Sequence, residues 1–151
     1  MVTGDTSYLQ RLHDLRHLLN GEWIPDILVA LRSGPLHYKE LLATIDEASG
    51  FDPWSGGRRS LQSRVLSGTL LRLTASGLVR RFEEPAVFPR SVLYEITPAA
   101  VQVLDRALPM TEWADEHADL IEHARRARAK EREDKAVNPQ LAPADEPDAH
   151  P

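Results

Sequence analysis

The chain has 151 residues and no cysteine. That absence excludes disulfides, thiolate metal sites and any thiol redox switch. Long apolar runs are also missing: none approaches the ~18 residues that a membrane span requires. The opening MVTGDTSYLQ has neither a basic n-region nor an apolar h-region, so no secretory leader is expected. Together these absences point to a cytoplasmic protein without a membrane partner. Bulk positive charge is lacking too. A formal net charge of -5 excludes a protein that coats nucleic acid through its overall charge. A local basic face stays open, because exposed charges farther apart than a Debye length of ~8–10 Å barely interact.

The charge that is present is unevenly placed. Between Arg58 and Arg90 seven arginines face only Glu83 and Glu84, whereas residues 131–151 carry six acids against Arg132 and Lys135. The basic stretch has helical periodicity in its first half and strand alternation in its second. A basic helix followed by a basic hairpin suits a duplex groove and its flanking phosphates.

Taken in order, residues 1–6 read as a disordered start. Tyr8, Leu12, Leu15 and Leu19 recur at helical spacing, and Asn20-Gly21 closes that helix. A second helix, 22–32, tolerates Pro25 in its first turn and buries Ile24, Ile27, Leu28 and Leu31. Ser33-Gly34-Pro35 stops it, and a short third helix, 37–45, follows. Residues 46–57 are rich in Gly, Ser, Pro and Asp and read as a loop. The helix expected over 61–76, with Ser60 as its cap, turns Leu61, Val65, Leu66, Leu70 and Leu73 inward and stops at Gly77. Residues 78–83 and 91–96 are expected as strands around a proline-containing turn. Thr97-Pro98 is a helix start, Pro109 a kink or break, and helical spacing resumes from Trp113 to Ala124. A charged helix end that frays is expected over 125–136, and a disordered acidic Pro/Ala-rich tail over 137–151.

The 61–76 helix leaves Ser63, Arg64, Ser67, Gly68, Thr69 and Arg72 as candidates for base and phosphate contact. Arginine can engage guanine O6 and N7 bidentately, and hydroxyls read bases less sharply. Arg58 and Arg59, behind Gly56-Gly57, are candidate phosphate ligands beside a helix N-terminus. Arg90 is a candidate for the minor groove or backbone. Arg80 and Arg81 project to opposite faces of one strand, so only one of them is expected to contribute. An amphipathic helix with a merely solvated side explains the same spacing, and spacing alone leaves both readings open.

The N-terminal helix and the segment 101–124 carry more apolar surface than one small domain has to cover. Tyr8, Leu12, Leu15, Val101, Leu104, Leu108, Trp113, Leu120 and Ile121 are the candidate two-fold interface. His13 and His17 have an i, i+4 spacing, but no further ligand is placed near them, so no metal is expected. No nucleophilic triad or carboxylate pair is spaced for catalysis, and no enzyme or cofactor is expected.

Three stretches resemble the HxlR family of bacterial transcriptional regulators. GEWIPDILVALRSGPLHYKELLATI is similar to the family's Gly-x-Trp opening helix, Gly-Pro turn and second helix. LSGTLLRLTASGLVRR is similar to its recognition helix running into a strand. FPRSVLYEIT is similar to the return strand of its wing, with Ile96 where leucine is usual. The resemblance spans roughly residues 21–117. Trp113 stands where the family's dimer helix often carries tryptophan. The chain departs from the pattern in an extra loop at 49–60, in lacking the frequent N-terminal cysteine, and in Ala99 or Ala100 where glycine is expected.

The resemblance implies a mainly α fold with a small β-hairpin wing: a winged helix-turn-helix over residues 7–124 with flanking N- and C-terminal dimerisation helices. It implies a homodimeric repressor that binds double-stranded DNA at a pseudo-palindromic operator through helix 61–76 and the 78–96 wing. A small-molecule effector is left open. The alternative is a winged helix turned protein-interaction or small-molecule-responsive module without operator binding.

Overall fold

The computed structural model describes residues 2–85, 88–89 and 91–139. Its elements are α1 (Val2–Leu18), α2 (Ile24–Leu31), β1 (Leu36–His37), α3 (Tyr38–Ala48), β2 (Phe51–Asp52), β3 (Gly57–Arg58), α4 (Ser63–Ala75), β4 (Val79–Glu84), β5 (Ser91–Ile96), α5 (Pro98–Glu116) and α6 (Ala118–Val137). This is a mostly helical winged-helix fold with a small antiparallel sheet. Among the described residues no helix is long and apolar enough to cross a membrane.

The core follows from helical periodicity. Ile24, Ile27, Leu28 and Leu31 line one face of α2 and meet Leu41 and Ile45 of α3 and Leu66, Leu70 and Leu73 of α4. Leu61, Leu78, Val79 and Ala100 close the cluster from the flanking segments. Trp23, just before α2, is buried at its edge.

Helix α4 ends in a Schellman motif. The N–H of Leu78 donates to the Leu73 carbonyl at 3.0 Å, and that of Gly77 to Thr74 at 3.2 Å. Gly77 takes φ +79°, which a side chain would oppose, and so turns the chain straight into β4. Thr97 performs the matching turn out of β5. Its hydroxyl accepts from the Ala100 N–H and donates to the Gly77 carbonyl at 2.8 Å, so the cap of α5 is also tied to the end of α4.

The sheet order is β1-β5-β4, with Leu36 opposite Tyr94 and Val79 opposite Ile96. Strand β1 falls where only a helix-to-helix turn is expected, and α3 accordingly starts at Tyr38 and runs on to Ala48. His37 links this edge to the wing: its Nδ1 lies 3.1 Å from the Val92 carbonyl oxygen and 2.9 Å from Ser91 Oγ.

Four further expectations are corrected. Helix α1 starts at Val2, so residues 2–6 are its first turns rather than a loose start. The 46–57 loop contains a two-stranded hairpin, Phe51 opposite Arg58 and Asp52 opposite Gly57. Gln62, not Ser60, is the N-cap of α4, and it makes no side-chain capping bond. Pro109 lies inside an unbroken α5, because one missing donor does not outweigh the bonded turns on either side of it. The break falls at His117 (φ -113°, ψ 35°), whose ring stacks on Trp113 at 4.5 Å and whose Nδ1 donates to the Trp113 carbonyl at 2.9 Å. The charged segment 125–136 is helical, as part of α6. The acidic tail lies outside the described residues from residue 140 onward.

Candidate nucleic-acid interface

Helix α4 buries Leu66, Leu70 and Leu73, which leaves Ser63, Arg64, Ser67, Gly68 and Leu71 on its exposed side. Arg64 is exposed and, among the described residues, has no ion-pair partner. A Cβ built at Gly68 meets nothing within 4 Å, so packing does not demand glycine here. Glycine in mid-helix costs about 1 kcal/mol relative to alanine, and its effect at this position is to open the backbone to close approach from outside.

The first turn of α4 is held by Tyr38. Its hydroxyl donates to the Ser63 carbonyl at 2.6 Å and lies 2.6 Å from Ser63 Oγ and 3.0 Å from Ser67 Oγ. The two serine hydroxyls are thereby oriented by an aromatic side chain from the preceding helix. Thr69 is set apart from them: it is half-buried and its hydroxyl donates to the Val65 carbonyl at 2.8 Å.

The arginines divide by what they already touch. Arg59 leaves the candidate phosphate set. Its fork spans both oxygens of Asp26 at 2.9 and 3.0 Å, donates to the Glu22 carbonyl at 3.0 Å, and sits 4.1 Å over the Trp23 ring. Its own pKa is raised, chiefly by the hydrogen bond to Asp26. Arg72 donates to the Asn20 carbonyl at 2.5 Å and so braces the end of α1. Arg80 pairs with Glu95, its cross-strand neighbour, at 2.5 Å and lies over Phe82. Arg81 is on the other face, opposite Tyr94, at a cleft of about 210 Å³ shared with Tyr38, Ser67, Leu71 and Thr74. Arg58 is exposed on β3. Arg90 lies outside the described residues.

Thus Arg58, Ser63, Arg64, Ser67 and Gly68 keep an outward position, and Tyr38, Leu71 and Arg81 join them. Arg81 shares strand parity with buried Val79, and that alternation was the available signal. Tyr38 had only its apolar register, which says nothing of its hydroxyl.

The candidate interface residues on α1 and α5–α6 are mostly uncovered. Tyr8, Leu12, Leu15, Leu108, Trp113 and Leu120 are exposed, and Val101 and Ile121 are half-buried. Leu104 packs against the chain's own core and leaves that set. Leu15, Leu19, Val103, Ala107 and Met110 line an apolar groove of about 300 Å³ between α1 and α5. Among the described residues no group of three or more His, Asp or Glu could hold a metal ion.

The β2–β3 hairpin is closed by Asp52, whose carboxylate accepts from the Trp54 and Ser55 N–H groups at 3.0 and 3.1 Å. Its pKa is lowered, first by the Ser55 side-chain hydrogen bond and then by the Trp54 backbone bond. A depressed folded-state pKa gives stability that is present above the unfolded value and lost as pH falls through the folded one. Asp52→Asn is therefore expected to unfold at lower urea than wild type at pH 7, with the gap narrowing as the pH drops below about 4. A gap that stays constant down to pH 2 would remove the carboxylate from this role.

No family model matches the chain, and no curated protein matches its sequence. Solved structures do match. A protein of Enterococcus faecalis V583 assigned to the MarR family of transcriptional regulators aligns at 21% identity, over 76% of this chain and 92% of its own, with a TM-score of 0.61. The reduced redox regulator HypR aligns at 21%, over 75% and 98%, with a TM-score of 0.58. The reduced transcriptional regulator YodB of B. subtilis aligns at 24%, over 70% and 90%, with a TM-score of 0.57. At these identities the likeness is one of fold: the chain has the winged-helix architecture on which those regulators are built.

Proposed function

We propose that this chain is a bacterial DNA-binding transcriptional regulator of HxlR type. It works in the cytoplasm as a homodimeric repressor on a pseudo-palindromic operator and performs no catalysis. The observation that carries the reading is the exposed side of α4, where Arg64, Ser67 and Gly68 project together, with Arg58 ahead of the helix and Arg81 beside it. Arg64 is the base-reading candidate, with the hydroxyls of Ser63 and Ser67 beside it. Arg58 and Arg81 face phosphates, and Arg90 is assigned to the wing's groove contact. Residues 7–124 form the DNA-binding unit with its dimerisation helices. A small-molecule effector is compatible with this reading.

The test is binding to a duplex recovered by selection from a random pool. Arg64→Ala is expected to weaken binding to that duplex by about 1–3 kcal/mol and to relax its preference at one position per half-site. Wild-type affinity is expected to fall steeply with salt, as phosphate contacts require. Arg64→Ala affinity equal to wild type across the salt series would remove Arg64 from base reading. A pool that yields no enriched sequence would favour a protein-interaction or ligand-responsive module.

A further inference from the structure

The hairpin ahead of α4 is fastened at two ends to helices that it does not belong to. At its tip, Trp54 lies under α6: the guanidinium carbons of Arg125 and Arg128 stand 5.6 and 5.7 Å from its ring centroid, and Arg132 donates to its carbonyl oxygen. At its base, the Arg59 N–H donates to the Gly50 carbonyl at 3.0 Å, while the Arg59 side chain grips Asp26, Glu22 and Trp23 around the start of α2. Between these ends the turn is held by the Asp52 carboxylate and by Gly56, whose N–H donates to the Asp52 carbonyl at 2.8 Å. Gly56 has φ +75°, a conformation a side chain would strain.

Only residues 60–62 separate this braced segment from Ser63, and α4 begins without a side-chain cap. The direction in which α4 leaves the domain surface is therefore fixed by Tyr38 on one side and by the hairpin on the other. We infer that Arg59 and Trp54 are positioning residues for α4: Arg59 pins its entry to α2, and Trp54 pins the same entry to α6. Neither side chain lies on the exposed side of α4. The planar fork of Arg59 matches the carboxylate bidentately, a geometry that lysine cannot reproduce. The Trp54 ring offers an attractive face to cations, which phenylalanine retains in part and alanine loses.

The inference rests on the DNA-reading proposal for one of its two readouts only. In the full chain, Trp54→Ala, Arg59→Lys and the double variant Arg125→Ala/Arg128→Ala are expected to raise backbone hydrogen exchange over residues 60–66. Each is expected to lower affinity for the selected duplex by about 2- to 30-fold, with binding to a scrambled duplex unchanged. Trp54→Phe is expected to recover most of both losses. The double variant removes the contact from the α6 side and leaves Trp54 in place, so it tests the link even where Trp54→Ala folds poorly. Unchanged exchange over 60–66 in all three variants would overturn the inference, as would an equal loss of affinity for both duplexes. If wild type does not discriminate between the duplexes, the DNA-reading proposal falls, and the exchange data still decide whether α4 is positioned in this way.

Discussion

Leu70→Ala is expected to destabilise the chain by about 2–5 kcal/mol, and Leu71→Ala by no more than about 0.5 kcal/mol. The two leucines are adjacent in α4, yet Leu70 is 2% exposed and Leu71 is 73% exposed. Truncating Leu70 removes buried methyl groups and leaves a cavity among Leu66, Leu73 and the α2 face, which surrounding side chains refill only in part. A single small domain has about 5–15 kcal/mol of net stability in total, so such a loss is a large share of it. Truncating Leu71 removes surface that water already touches. Urea unfolding reads the pair directly: a much lower midpoint for the first, with the slope preserved, and a near-wild-type midpoint for the second. Equal losses would mean that α4 is rotated about its axis, and the exposed assignment of Arg64 and Gly68 would fail with it. Under the proposed function the same pair separates stability from recognition, because an exposed leucine on a helix set in a groove is suited to thymine methyl contact.

That contrast also shows how far the residues alone could lead. Periodicity found α2, α4, β4 and β5 to within about two residues, because each has a one-sided apolar pattern and a clear stop, such as Gly34, Gly77 or Thr97. Strand β1 was missed because two residues carry no period. Its pairing partners, Leu93 and Tyr94, are more than fifty positions away. The β2–β3 hairpin was read as loop for the same reason. Arg59 illustrates the harder limit. A basic residue beside a glycine pair and ahead of a helix looks like a phosphate ligand, and only the fold brings Asp26 and Glu22 to it. Arg72 is similar in that its acceptor is a backbone carbonyl just past the end of α1, which local pattern does not announce. The charged run of α6 has no apolar stripe, yet two of its arginines stand over one tryptophan of the hairpin. Long-range polar partners leave no mark on local pattern, and they decide which cations are already engaged within the chain.

The second large effect concerns assembly. Leu12→Glu/Leu108→Glu is expected to convert a dimer in light scattering to a single-chain mass and to lower affinity for a full operator by about 100-fold or more. The magnitude comes from avidity: joining two reading heads raises binding by about 10²–10⁴ over either alone. The sites are chosen because both leucines are exposed on the chain itself, at 45% and 58%, and neither belongs to the buried core, so charging them disturbs internal packing little. Unchanged melting of the separated chains is thus part of the expectation, and so is unchanged affinity for a half-site duplex. The two helices leave apolar side chains open, from Tyr8 through Leu15 on α1 and at Leu108, Met110 and Trp113 on α5, next to the groove that Leu15 and Met110 line. A second copy would cover such a surface by symmetry, because one patch would then serve both partners. It would also place two α4 helices at a fixed spacing, for which a pseudo-palindrome is the matching target. Wild type that scatters as a single chain at micromolar concentration would defeat this arrangement. So would a doubly charged variant that stays dimeric, since the contact surface would then have to lie elsewhere.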